Sequence, residues 1–314
     1  MDMSFLLFQQ AFRNGHGFFF IDFMKKMTFF GELNTTLVIL AIIYWCISKD
    51  LGTYLMMGWS GNRIANGFLK ITVCAYRPWI RDPRIIPHGD ALTTATGYSF
   101  PSGHTMNAGT LFGGTAMYGK SFSKALRIML YVIVALVALS RTFLGVHTPQ
   151  DVLIGMAVSL LVMWLTLKLT NWLGKNPEKD RLVLCIGLVL VLALGLYAAL
   201  KSYPVDYDAN GKIIVDGAKM ANDTFKAVGW VSAFLIGWIL EKRFVCFSTD
   251  IKMERRFSRG VFGIMGFYAI SIILNTLLKK WISGPVGTII TCFLQMFYIT
   301  FLFPWIMKKA ESKS

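Results

Sequence analysis

IMLYVIVALVALS (residues 128–140), RTFLGVHTPQD (141–151) and VLIGMAVSLLVMWLTLKL (152–169) follow one another without a break. Two apolar runs flank a turn that holds an arginine, a histidine and an aspartate. A bilayer core of roughly 30 Å takes about 20 apolar residues per helix. On that ruler the runs belong to spans at 124–144 and 148–173. Ionisable groups at the ends of membrane helices are costly to keep, so a charged turn between two spans is a functional candidate. Working outward with the same ruler adds spans at 29–48, 51–73, 103–119, 181–200, 223–241, 259–277 and 285–307. The expected fold is an all-α polytopic membrane protein of about nine transmembrane helices.

Composition agrees. The 314 residues have a mean hydropathy of +0.54, with 55% hydrophobic and 16% charged residues, against about 25% charged in an ordinary soluble domain. A soluble, disordered or fibrous chain is excluded. The net charge of +15 would suggest nucleic acid in a soluble protein, but here the basic residues sit in short loops between apolar runs, where they set orientation. Seventeen of the 32 basic residues fall on one side, among them Lys120, Lys124, Arg127, Lys242, Arg243, Lys308, Lys309 and Lys313. That side is read as cytoplasmic, with the N-terminus outside and the C-terminus inside. The run Lys252 to Arg259 reads as the same topology signal in touch with anionic lipid. Phe18, Phe19, Phe20, Phe23, Phe29 and Phe30 interleave with Lys25 and Lys26, which reads as an interfacial segment over 1–28. The polar stretch 201–222 reads as a solvated loop rather than a hairpin cap. The five scattered cysteines read as buried, reduced thiols without metal spacing.

Three polar clusters fall on one membrane face under this span count. The first runs from Lys70 to Arg77-Pro78. The second is Tyr98-Ser-Phe-Pro101-Ser102-Gly103-His104. The third is Ser140-Arg141, then His147 and Asp151. Lys70, Arg77 and Arg141 would bring positive charges to one spot, which suits a multiply charged anion. Ser102 is a good N-cap and Gly103 lets backbone approach a ligand, so free amides at a helix start add to the anion site. His147 and His104 supply a nucleophile and a proton donor for a phosphate ester. Asp151, four residues after His147, can reach the imidazole and fix its tautomer. No carboxylate cluster suits Mg²⁺ or Zn²⁺, so neither metal nor cofactor is expected.

These three clusters resemble the signature of the type 2 phosphatidic acid phosphatase superfamily, which includes vanadium haloperoxidases and glucose-6-phosphatase. About ten specified positions match with their spacings intact, so coincidence is negligible. The likeness covers 29–173, taken as the phosphatase core. Residues 174–314 form an additional C-terminal transmembrane region that the minimal bacterial lipid phosphatase does not account for. The resemblance implies a metal-independent, vanadate-inhibited hydrolase in which His147 attacks phosphorus to give a phosphohistidine. In that scheme Asp151 orients His147, His104 protonates the leaving oxygen, and Lys70, Arg77, Ser102, Gly103 and Arg141 bind the phosphoryl oxygens.

A site at the rim of a helix bundle leaves lipid tails in the bilayer, so the expected partners are membrane lipids and a phosphorylated lipid substrate, with no nucleic acid. Candidates are undecaprenyl diphosphate, phosphatidic acid, phosphatidylglycerophosphate and sphingoid phosphates. The expected setting is a bacterial plasma membrane with the site outside. The alternatives are a phosphatase of a soluble phosphomonoester, glucose-6-phosphatase-like, and a non-catalytic membrane protein on the same fold. Arg81 and Arg84 stand open between contact with a second phosphate and plain loop charge. Trp59, Trp79, Trp172, Trp230, Trp238, Trp281 and Trp305 read as interface belt or packing.

Overall fold

The computed structural model describes residues 3–312 apart from 17, 120 and 209; Lys120 and Lys313, counted above, lie outside the described residues. The chain opens with α1 (Ser4–His16), α2 (Phe18–Phe29), α3 (Leu33–Ile42, running on through a wide turn to Ile47) and α4 (Lys49–Val73). The short α5 (Pro78–Arg81) precedes α6 (Gly103–Ala108) and α7 (Gly114–Tyr118), which are joined by a wide π turn at Gly109–Gly113. Next come α8 (Lys124–Phe143), α9 (Pro149–Lys175), α10 (Asp180–Leu200) and α11 (Gly217–Leu240). The chain closes with α12 (Met253–Ile273), α13 (Lys279–Trp281), α14 (Gly284–Phe297) and α15 (Phe303–Glu311). Among the described residues the extended structure is one isolated bridge between Tyr207 and Ile213.

Among the described residues, six segments are long and apolar enough to cross a membrane: Lys124–Phe143, Pro149–Lys175, Pro177–Leu200, Gly217–Val245, Met253–Leu278 and Gly284–Glu311. A bent pair, Phe19–Phe29 with Leu33–Ile47, makes a seventh if it is one span; its halves meet at 53°. The exact count of nine is not confirmed by this measure. The two expected spans outside this set are α4 and the 103–118 helix. In α4, Asn62, Asn66 and Lys70 recur every four residues and are all buried, so this helix carries an internal polar stripe. The helix at 103–118 is short and interrupted by its wide turn. Outward apolar side chains such as Leu182, Ile186, Val189, Leu192 and Leu196 on α10 are exposed; a surface of this kind is stable only against lipid. The protein is an integral membrane protein.

The residues gather into two compact units, each assembled from separate stretches. The first comprises Met1–Thr36, Ala65–Leu165 and Ser202–Asp223. Its N-terminal helix is docked, with Leu6 buried and Arg13 donating to the carbonyls of Phe143 (2.9 Å) and Ile86 (2.6 Å). Helices approach closely where residues are small: a Cβ on Gly109 would lie 2.0 Å from Ser159 Oγ. In the stretch 202–223, Asp208 N donates to Lys212 O and Ile214 N to Asp206 O, both at 2.9 Å. This is a small hairpin, where a solvated loop was expected.

The second unit comprises Leu37–Ile64, Thr166–Lys201 and Thr224–Ser314. Trp45 is fully buried there, with its indole N–H donating to Ile299 O at 2.8 Å. Trp59 packs on Trp230, ring centroids 5.6 Å apart. Arg259, expected to be a loop charge facing lipid, is buried instead and makes a two-pronged ion pair with Glu311. Its sequence neighbours Arg255 and Arg256 misled because charge runs do not reveal which member turns inward. Among the cysteines, Cys46 and Cys292 are buried as expected, whereas Cys185 and Cys246 are exposed; none of the five is in a disulfide.

Candidate active site

The third cluster is built by two adjoining helix ends. At the end of α8 the chain reverses within a few residues: Gly145 N donates to Thr142 O at 2.9 Å and Val146 N to Arg141 O at 3.1 Å. Gly145 sits at φ +75°, a left-handed conformation that glycine adopts at little cost. The reversal delivers His147, which is 1% exposed, directly before α9. That helix starts with a reciprocal cap. Asp151 N donates to Thr148 Oγ1 at 3.3 Å, and Thr148 N donates to Asp151 Oδ2 at 2.7 Å, with Pro149 at the first helical position. The cap fixes the carboxylate before it does any chemistry.

Asp151 Oδ2 then lies 3.4 Å from His147 Nδ1 and accepts the Ser99 hydroxyl at 2.6 Å. On the other edge of the ring, Arg77 Nη1 lies 2.8 Å from His147 Nε2. A guanidinium only donates, so Nε2 presents its lone pair and the proton resides on Nδ1, facing the carboxylate. Burial, followed by the charge of Arg77, pushes the His147 imidazole down to about 3 despite the opposing pull of Asp151. The ring is neutral at physiological pH.

Arg77 is itself held by carbonyls. Its Nη2 donates to Thr96 O at 2.6 Å, Nε to Gly97 O at 3.1 Å and Nη1 to Val146 O at 3.0 Å. Burial pushes it down to about 10, with Asp151 and Asp223 opposing, so it stays cationic at neutral pH. Lys70 Nζ donates to the same Thr96 carbonyl at 3.3 Å. The second cluster is tied in from two sides. Asn66 Nδ2 donates to Pro101 O at 3.1 Å, and Ser102 N donates to Asp151 O at 2.9 Å. Ser102 is the N-cap of α6: its hydroxyl oxygen accepts Thr105 N at 3.4 Å and Thr105 Oγ1 at 3.0 Å. Gly103 is the first helical residue.

Arg141 and His104 complete the constellation. Arg141 is completely buried, and its Nη1 donates to Thr28 Oγ1 at 2.6 Å. Its Nε and Nη2, and Nε2 of His104, are buried without a hydrogen-bond partner among the described residues. Burying a charge costs several kcal/mol unless something compensates it, and unmet donors beside Arg77 and Lys70 ask for an anion rich in acceptor oxygens. A tetrahedral oxyanion has that chemistry. Among the described residues, no group of three or more His, Cys, Asp or Glu side chains is placed to hold a metal ion.

All the expected site residues are therefore in the first unit, and the three clusters are bonded to one another. Arg84 pairs with its neighbour Asp82 at 2.7 Å and both Arg81 and Arg84 are exposed, so Arg84 is a locally paired loop charge. Sequence reasoning missed Ser99, Thr148, Thr28 and Asp223. The Thr148-Pro-Gln-Asp151 cap has a legible signature; the others arrive by tertiary contact and have none.

Residues 51–175 match the model of the PAP2 superfamily, and residues 225–314 match that of the PAP2 superfamily phosphatase, transmembrane extension. The chain is 32% identical over 121 residues to phosphatidylglycerophosphatase B of Bacillus subtilis (strain 168), covering 36% of this chain and 55% of that protein. It is 30% identical over 166 residues to a probable sphingosine-1-phosphate phosphatase of Dictyostelium discoideum, covering 48% and 38%. It is 29% identical over 138 residues to lipid phosphate phosphatase delta of Arabidopsis thaliana, covering 40% and 33%. The chain thus spans between a third and just over half of the length of these curated relatives. Among solved structures, the first transmembrane PAP2 type phosphatidylglycerolphosphate phosphatase from Bacillus subtilis is similar at 25% identity and a TM-score of 0.43, covering 54% of this chain and 85% of that one. Residues 225–314, part of the C-terminal region left unexplained by the motifs, match the superfamily's transmembrane extension, and the chain belongs to the PAP2 superfamily.

Proposed function

We propose that the protein is a membrane lipid phosphate phosphatase that hydrolyses a lipid phosphomonoester or diphosphate through a covalent phosphohistidine. The observation that carries this reading is the setting of His147, with Asp151 Oδ2 3.4 Å from one ring nitrogen and Arg77 Nη1 2.8 Å from the other. An imidazole so held keeps one tautomer and offers Nε2 as a neutral nucleophile.

The chemistry follows from the placed groups. The phosphoryl group lies against Lys70, Arg77 and Arg141, which neutralise its oxygens. The Nε2 lone pair attacks phosphorus as the bond to the leaving oxygen breaks, and His104 gives that oxygen a proton. The imidazolium formed at His147 is stabilised by Asp151. Water then attacks the phosphohistidine, His104 takes back a proton, phosphate leaves and both histidines regain their starting states. The cations bear the charge of the transition state without help from a metal ion. Names of the relatives, which refer to phosphatidylglycerophosphate, sphingosine 1-phosphate and lipid phosphates, support a lipid leaving group. The charge bias of the loops supports a site on the outer face, with the C-terminus inside.

The test is phosphate release from lipid phosphates, lipid diphosphates and a sugar phosphate in detergent with EDTA, comparing the wild type with His147→Ala. Release that survives EDTA, depends on the lipid tail and vanishes in the variant is the expected result. A requirement for divalent metal, or full activity in His147→Ala, overturns it.

A further inference from the structure

The stretch 202–223 falls between the two family matches, which end at 175 and resume at 225, yet it packs into the same unit as the catalytic clusters. Four contacts tie it there. Tyr76 donates its hydroxyl to Asp206 Oδ2 at 2.6 Å. Tyr98 stacks on Tyr76 at 6.2 Å and on Tyr203 at 6.5 Å, the planes inclined by 19° and 23°. Thr96 Oγ1 donates to Asp223 Oδ2 at 2.8 Å. That same carboxylate oxygen lies 3.7 Å from Lys70 Nζ.

Gly97 shows how tight the approach is. Its φ is +66°, and a Cβ there would lie 2.9 Å from Asp223 Oδ2, 3.3 Å from Met220 O and 3.4 Å from Lys70 Nζ. The Thr96 and Gly97 carbonyls that Asp223 braces are the ones that grip Arg77, and Thr96 O also grips Lys70. One carboxylate therefore acts on Lys70 directly and on Arg77 through the 96–97 backbone. Asp223 from α11 and His104 from α6 bear on Lys70, and Arg77, beyond the end of α4, shares the Thr96 carbonyl with it.

We propose that Asp223 is the positioning residue of the phosphate cradle: it fixes the Lys70 ammonium and offsets one of its positive charges. This deepens the reading of the site as a phosphatase and rests on it. A carboxylate beside a cationic anion site weakens ground-state binding of phosphate, while a held ammonium is already in place for the transition state. Removing the charge tightens product and substrate binding equally and leaves the ammonium less well aimed, a change that lowers turnover.

The experiment compares wild type, Asp223→Asn, Asp223→Ser and Asp223→Glu in two assays: the Kd of inorganic phosphate, and kcat with KM on a lipid phosphate turned over by the wild type. In Asp223→Asn the phosphate Kd falls about fivefold to tenfold and kcat falls about tenfold, opposite movements that a loosened fold does not produce. Asp223→Glu restores both. Asp223→Ser, which keeps an acceptor for Thr96, repeats the effect if the asparagine variant folds poorly. Parallel weakening of phosphate binding and turnover, no change in either, or a glutamate variant that behaves like the asparagine one overturns the proposal. A wild type that binds phosphate but turns over no lipid phosphate sinks the functional reading alone, because the phosphate Kd still reports on Asp223.

Discussion

The carboxylate of Asp151 accepts two short hydrogen bonds, from Ser99 Oγ and Thr148 N, on the same oxygen that lies 3.4 Å from His147 Nδ1. The imidazole contact is the longest of the three, so the carboxylate is positioned by its other partners and the histidine is positioned by the carboxylate. Asp151→Asn keeps the size of the side chain but permits the wrong imidazole tautomer. The expected loss in kcat is about 10³–10⁴-fold with the fold intact. Steady-state kinetics check it, and a variant that stays within tenfold of wild type would mean that Asp151 does not set the tautomer.

Ser99 is a positioning residue of smaller weight. Ser99→Ala leaves Asp151 with the Thr148 amide and the imidazole, and removes one buried charge-assisted hydrogen bond worth about 1.5–3 kcal/mol. The loss belongs in kcat, about tenfold or more, with KM nearly unchanged because the serine lies behind the carboxylate. A rise in KM at constant kcat would instead place Ser99 against substrate.

The unmet donors of Arg141, beside the unpartnered Nε2 of His104, predict that anions stabilise the folded protein. Vanadate at about 100 times its Kd should add about 2.7 kcal/mol, read as a raised thermal midpoint in detergent. Arg141→Lys should lose most of this shift, since an ammonium cannot supply the planar pair of donors that Nε and Nη2 present. Equal shifts in both proteins would show that the anion binds elsewhere.

The cradle was legible in the sequence to the extent that it is local. The spacing of His147 and Asp151 on one helix start, and the cap at Ser102, follow from chain geometry within a few residues. What the sequence hid is what the tertiary fold delivers. Thr28 reaches Arg141 across 113 residues and Asp223 reaches Thr96 across 127, and neither carries a motif. The buried polar positions of α4 were hidden for a related reason: Asn62, Asn66 and Lys70 recur every four residues inside a run that is otherwise mostly apolar, and only packing shows that they face inward.

Acid stability should report on His147. Its imidazole titrates near 6.5 when unfolded and about 3 when folded. Between those values the unfolded chain binds the extra proton, so the contribution of this residue to stability is complete above about 6.5 and declines as pH falls through that window. The thermal midpoint of wild type should therefore drop more between about pH 7 and pH 5 than that of His147→Gln, which has no proton to take up. Parallel curves would show that the folded imidazole is not held neutral.

Arg259 and Glu311 make the corresponding test in the second unit. Arg259 donates through Nε (2.7 Å) and Nη2 (2.6 Å) to the two carboxylate oxygens, and through Nη1 to the carbonyls of Ser248 (2.7 Å) and Trp45 (3.2 Å). Its side chain is 4% exposed and that of Glu311 is 22% exposed. Breaking such a pair from one side strands a charge, whereas removing both charges does not. Arg259→Met alone should cost about 3 kcal/mol, seen as a lowered thermal midpoint, and the double variant Arg259→Met, Glu311→Met should recover part of the loss. Both residues belong to the second unit and the cradle to the first, so phosphate release per folded molecule should stay at the wild-type rate. If the single variant keeps its midpoint, the ion pair is a surface contact of little weight; if it loses turnover while still folded, the second unit takes part in the chemistry.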